Sequence, residues 1–164
     1  MMKGQRDQER PSGLGPIRRA VAGDAEVITD VYLRSRRGAG MRFPPGVHPD
    51  VDVRWYVDEV VVPIRETWVA SAGGVVVGVA SLDGDDLDWL FIDPDHQGTG
   101  VGSALLDHVK ARRPDGFELW VFVSNEPARS FYERHGLHEV HRTDGEHNEE
   151  HAPDVRLRWP GRTT

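Results

Sequence analysis

Apolar positions along the chain recur with two periods, and the switches between them predict its elements. Residues 17–20 read as a short first strand. Asp24 is a candidate N-cap for a helix over residues 25–36, with Val27, Ile28 and Val31 facing inward. Residues 37–49 hold Gly38, Gly40, Pro44, Pro45, Gly46 and Pro49, too many breakers for regular structure. A second helix over residues 50–62 should end near Pro63. Residues 67–72 and 75–82 alternate or run apolar about Gly73-Gly74, the pattern of a hairpin. A strand over 87–92, a helix over 103–112, a strand over 117–123, a helix around Tyr132 and strands near 137–142 and 155–159 complete the chain. The predicted order is β-α-α-β-β-β-α-β-α-β-β, an α/β arrangement. Residues 1–15 are polar and rich in Gly, Pro and charge, and are expected to form a disordered tail before one domain over 16–160.

Where the strand over 87–92 meets the next helix, the chain reads Leu90-Phe91-Ile92-Asp93-Pro94-Asp95-His96-Gln97-Gly98-Thr99-Gly100-Val101-Gly102-Ser103. A glycine-rich turn that opens a helix can bind an anion, because the first amides of the helix lack partners and carry partial positive charge. Here those amides are expected from Gly102, Ser103 and Ala104. A P-loop would need Lys after the glycines, and none follows. In a dinucleotide loop, G-x-G-x-x-G follows its strand directly. Here the third glycine comes one residue early, and Asp93 to Gln97 are inserted. A turn that merely caps the helix is the plain alternative.

What stands is Gln97-x-x-Gly100-x-Gly102 after a strand ending in Ile92-Asp93-Pro94, and it closely resembles the acyl-CoA pyrophosphate loop of the GNAT superfamily of N-acetyltransferases. A later segment, Asn125 to Leu137, is similar to that family's next helix and stands in its order and spacing. Ser124 or Asn125 can cap that helix, Pro127 suits its first turn and Gly136 its end. Ala128, Phe131, Tyr132 and His135 share one face of it.

The resemblance implies the GNAT fold, a mixed and mostly antiparallel sheet splayed between its fourth and fifth strands and flanked by helices. It implies acetyl-CoA as acyl donor, with the backbone of Phe91 and Ile92 pairing with its pantetheine amides. Gln97, Gly98, Thr99, Gly100, Val101, Gly102 and Ser103 would surround its pyrophosphate, and Asn125 would lie close to it. Tyr132 is implied as the acid that protonates the departing thiolate, since a phenol stays protonated at neutral pH. Many relatives carry Arg or Lys where this chain has Thr99, so either CoA is held more weakly than is usual in the family or Lys110, Arg112, Arg113 or Arg129 supplies the missing charge. Asp86 falls where some members place a general-base glutamate. Asp88, two residues on, should share its strand face, and solvated acidic residues are the plain reading of both.

Composition narrows the alternatives. The chain has no cysteine, which removes disulfides, thiolate metal sites and a cysteine nucleophile. The first residues lack the apolar run of a signal peptide, and no segment reaches membrane-spanning length, so a cytoplasmic protein without membrane contact is expected. A formal net charge of −7 disfavours nucleic acid as a partner. His147-Asn148-Glu149-Glu150-His151 has the H-x-x-E-H form of inverted zinc peptidases, but Asp144-Gly145 before it and Pro153 after it argue against the helix that motif needs, so no metal is expected.

In the family, the segment between the first two helices and the one joining the last two strands wall the acceptor pocket. Here these carry Met41, Phe43 and His48, and Glu146, Glu149, Glu150 and Asp154. Apolar groups facing carboxylates suggest a small cationic amine with a hydrophobic part. The expected activity is transfer of acetyl to a primary amine by direct attack in a ternary complex. A noncatalytic acyl-CoA-binding regulatory module is the alternative, a dinucleotide binder a distant third, and the assembly state, including a homodimer, stays open.

Overall fold

The computed structural model describes residues 13–163. Of the expected tail over residues 1–15, residues 1–12 lie outside them, and Leu14 and Gly15 are held against Ser71 and Ala72. Leu14 forms a bridge with Ala72, and the Gly15 N–H donates to the Ser71 carbonyl at 2.9 Å.

The elements follow the predicted order: β1 (Arg18–Arg19), α1 (Ala25–Gly38), α2 (Asp50–Tyr56), β2 (Glu66–Ala72), β3 (Val75–Asp83), β4 (Asp86–Ile92), α3 (Val101–Arg112), β5 (Phe117–Phe122), α4 (Glu126–Arg134), β6 (His138–Thr143) and β7 (Asp154–Trp159). They build one seven-stranded sheet in the order β1-β2-β3-β4-β5-β7-β6. Every pairing is antiparallel except that of β4 with β5. Gly73 and Gly74, both at positive φ, make the two-residue turn of the β2–β3 hairpin.

The core lies in two layers, one on each face of the sheet. Ile28 and Val31 of α1 and Val53 of α2 pack on Val69, Val79 and Trp89. On the other face Val101, Leu105, Leu106 and Val109 of α3, with Tyr132 of α4, pack on Ala80, Leu87, Leu119 and Leu157. Each aliphatic side chain buried here contributes about 1.5–3 kcal/mol. Helix α3 lies so close to β3 that a Cβ on Gly78 would stand 2.9 Å from both Leu105 and Val101.

Two local expectations are corrected. The carboxylate of Asp24 does not cap α1. It accepts the Val21 N–H and both Nη atoms of Arg18, at 2.8 and 2.9 Å, and so ties β1 to the turn before α1. The second helix does not run evenly to residue 62, because α2 widens into a π-turn over Val57–Val61. The Val62 N–H reaches back to the Val57 carbonyl, a spacing that keeps both Val57 and Val61 buried.

The arrangement of β4 shapes the rest of the molecule. It pairs with β5 only at Asp86↔Glu118, and the strands diverge beyond that point. On its other side Trp89 pairs with Ser81 while Leu87 pairs with Leu82, so Asp88 is an extra residue in a β-bulge. The bulge reverses the phase of the strand. Leu87 faces α3, whereas Trp89, which regular alternation would put on the same face, points to α1.

Candidate active site

A cleft of about 1580 Å³ opens where β4 and β5 part, and it reaches both faces of the sheet. Trp89 and Phe91 line it from the α1 side, and Tyr132 and Ala128 from the α4 side. Its volume exceeds the ~300–1,000 Å³ of ordinary small-molecule pockets, enough for two ligands to meet.

The backbone of β4 is partly unpaired along this gap. The Asp93 N–H donates to the Val77 carbonyl at 2.8 Å, so by alternation Phe91 also turns its backbone groups toward β3, opposite Val79. Leu90 and Ile92 therefore present theirs to the open side. Of the pair expected to bind an incoming chain, Ile92 turns its backbone to the gap, as Leu90 does, while Phe91 turns its backbone to β3. The Ile92 carbonyl already accepts a hydrogen bond from the Gln97 side chain at 3.1 Å.

The turn after β4 is built by its own polar groups. The Asp93 carboxylate accepts the Asp95 N–H at 3.0 Å and pairs with Arg34 of α1, which also reaches Asp95. The Thr99 hydroxyl donates to the His96 carbonyl. Gly98 and Gly100 have φ of 73° and 90°, a region that favours glycine. Helix α3 then begins at Val101, and its first internal bond runs from the Ala104 N–H to the Gly100 carbonyl. The free amides are thus those of Val101, Gly102 and Ser103, one residue earlier than expected. An extended amide-bearing chain along β4 would end with its anionic group at these N–H groups.

Ser103 holds a contact that no local pattern signals. Its hydroxyl lies 3.0 Å from Nε2 of His135, whose Nδ1 lies 2.7 Å from the Phe131 carbonyl. A carbonyl only accepts, so Nδ1 carries the proton, and Nε2 of a neutral ring accepts from Ser103. His135 thereby joins the end of the Tyr132 helix to the start of α3. Of the cations expected to aid the turn, Lys110, Arg112 and Arg113 sit at the far end of α3. Lys110 donates to the His135 carbonyl, Arg112 stacks on Trp68 and Arg113 pairs with Glu66. Arg129 donates to the Val123 carbonyl.

Tyr132 is buried, and its hydroxyl has no hydrogen-bond partner among the described residues. Burial pushes the phenol far above its ordinary range, so it is neutral at every working pH. Asn125 caps α4 through the Ala128 N–H at 3.4 Å and lines the cleft beside it.

The two candidate bases have different surroundings. Asp86 is held by Arg156 at 2.6 Å and lies outside the cleft. Asp88 lines the cleft and has no ion-pair partner among the described residues. Loss of surrounding water raises its carboxyl above the ordinary aspartate range; Arg65 pulls it down and the charge of Asp86 pushes it further up.

The two segments expected to wall an acceptor do meet over the cleft. His48 and Glu149 are hydrogen-bonded at 2.8 Å, Arg36 and Glu150 stand 3.9 Å apart, and the Ser124 hydroxyl donates to the Arg42 carbonyl. Met41, Phe43, His48, Glu149, Glu150 and Asp154 all line it, whereas Glu146 does not. The carboxylates of that wall are largely engaged, since Asp154 is hydrogen-bonded by Thr143 and Asn148. The His147 to His151 segment runs as a turn with His151 at φ 50°, not as a helix.

Comparison with known proteins gives these features a context. The acetyltransferase (GNAT) domain family matches residues 63–138. The chain is 32% identical over 99 residues to the peptidyl-lysine N-acetyltransferase YjaB of Salmonella typhimurium, covering 60% of this chain and 68% of that protein. It is 27% identical over 131 residues to the peptidyl-lysine N-acetyltransferase YiaC of Escherichia coli, covering 76% and 84%. The solution structure of apo-form YjaB from Escherichia coli superposes with a TM-score of 0.73 at 27% identity, covering 91% of this chain and 99% of that one.

Proposed function

Because the chain belongs to the GNAT superfamily of N-acetyltransferases, we propose that it moves acetyl from acetyl-CoA to a primary amine by direct attack in a ternary complex. The observation that carries this reading is the cleft through the split sheet, with Tyr132 on one side, Asp88 at the bulge, and free backbone amides leading to the α3 N-terminus.

The open-side backbone groups of Leu90 and the Ile92 N–H suit the pantetheine amides, and the Val101, Gly102 and Ser103 amides suit the pyrophosphate. Asp88 takes a proton from the acceptor ammonium, directly or through water. The amine nitrogen then bonds to the thioester carbonyl carbon as the carbon–sulfur bond breaks, and Tyr132 donates its proton to the leaving thiolate. Tyr132 regains a proton from the nitrogen that has become an amide. The balance is an ammonium and a thioester giving an amide, a thiol and one released proton. The acceptor is an amine with an apolar part, and the similarity to peptidyl-lysine N-acetyltransferases makes a protein lysine one candidate for comparison.

Calorimetric titration with acetyl-CoA, beside NAD, tests the reading. Micromolar binding of acetyl-CoA with NAD silent, followed by CoA release with an amine, supports it. Binding without turnover on any amine would instead favour the noncatalytic module, and silence up to millimolar acetyl-CoA would overturn both.

The uncharged Thr99 carries a further expectation. Thr99→Arg places a cation beside the pyrophosphate, and an exposed pair contributes about 0.2–1 kcal/mol, so the Kd of CoA should fall by about 1.4- to fivefold. The gain should vanish at high salt. An unchanged Kd at low salt would mean that residue 99 does not approach the phosphates.

A further inference from the structure

The aromatic residues of this chain are unevenly spread. All three tyrosines, three of the five tryptophans and three of the five phenylalanines line the one cleft. On the β4 side Trp89 stacks on Tyr32 with centroids 4.4 Å apart, and Phe91 meets both edge-on. On the β5 side stand Trp120 and Phe122. Phe43 joins the two walls, 6.3 Å from Phe91 and 5.9 Å from Phe122.

Core packing accounts for Trp89, which is buried, but not for the rest of this set. Tyr32, Phe43, Phe91 and Phe122 are only partly covered, and Trp120 keeps 46% of its surface exposed. A folded chain gains by covering such rings, so their exposure around one gap marks a surface shaped for an apolar ligand. Asp88 precedes Trp89 and has no ion-pair partner among the described residues, so a carboxylate adjoins the rings. The contacts of His48 with Glu149 and of Ser124 with Arg42 draw a roof across this half of the cleft, which suits a compact ligand better than a polypeptide.

We propose that the acceptor is a small amine carried on a flat aromatic body, its ring held between the Trp89–Phe91 and Trp120–Phe122 walls under Phe43 and its ammonium turned to Asp88. The proposal rests on the acetyltransferase reading above and refines its acceptor. A thin lysine or polyamine chain would leave the ring faces uncovered, whereas an aromatic ring can lie offset or edge-on against them.

The test uses the full chain saturated with CoA. Binding of 2-phenylethylamine and tryptamine, read by calorimetry, is compared with butylamine, spermidine and a lysine-containing peptide; acetylation of each by acetyl-CoA is then followed. The aromatic amines should bind and turn over with at least tenfold higher affinity and kcat/KM. Trp120→Ala, a change at a half-exposed side chain that spares the core, should raise their KM at least fivefold and leave that of butylamine and acetyl-CoA within twofold. Preference for the peptide or for spermidine would overturn the proposal, as would equal losses on all acceptors. Aromatic preference lost while acetyl-CoA still binds and some amine is acetylated removes this inference alone. Failure of acetyl-CoA to bind removes the acetyltransferase reading with it.

Discussion

Tyr132→Phe is expected to lower kcat by about 10²–10³-fold, the range for loss of a positioned general acid, with the Kd of acetyl-CoA unchanged within twofold. The structure makes this a clean substitution. The hydroxyl has no protein hydrogen-bond partner among the described residues, and the ring keeps its place against Phe131, 5.3 Å away and edge-on. Removing a hydroxyl that bonds to no protein group leaves no orphaned partner, so the melting temperature should hold or rise slightly. Burial keeps the phenol neutral throughout, and it should contribute no limb to the pH–rate profile. Stopped-flow or steady-state measurement, under conditions where chemistry limits turnover, reads the effect. A variant with full kcat there would remove Tyr132 from the reaction.

Asp88→Asn should cost about 10²-fold in kcat/KM, the lower end of the range for a general base, and should also erase the acid limb of the pH profile. The sign follows from the group's surroundings. A base must be ionised, and desolvation holds this carboxyl above the ordinary aspartate value of 3.8, so activity should decline on acidification earlier than a solvated aspartate would allow. Assay with a weakly basic amine, already neutral over the range, keeps the acceptor's own titration out of the curve. Asp86→Asn should leave that limb in place, because Asp86 is paired with Arg156 away from the cleft. The reverse outcome, a limb lost with Asp86 and kept with Asp88, would exchange their roles.

Much of the fold was legible because its signals are local. The hairpin is written in Gly73-Gly74, whose backbone requires positive φ at both positions. The turn into α3 is written in Gly98 and Gly100, and the inward faces of α1 and α3 in their apolar spacing. The candidate site was legible wherever it coincides with such signals, at residues 97–103 and on the face of α4 that bears Tyr132. It was not legible at the bulge, where regular alternation would put Leu87 and Trp89 on one face. The pairing of Trp89 with Ser81 and of Leu87 with Leu82 sends these two side chains to opposite faces, and that pairing belongs to two strands rather than one.

The same division explains the electrostatic correction. A run of acidic residues near the end of the chain read as an open negative wall. Glu149 meets His48 and Glu150 approaches Arg36, partners more than a hundred positions earlier that no local pattern connects to them. The link from His135 to Ser103 is likewise a contact between the ends of two helices.

By itself, then, the sequence determined the order of elements, the turn that frees the first amides of α3 and the residue types that chemistry there can use, since each follows from backbone preferences and side-chain periods within a few neighbouring residues. Only the tertiary structure decided which aspartate enters the cleft, which carboxylates already have partners and how the aromatic rings gather about one gap, because these depend on strand register and on which distant surfaces pack together.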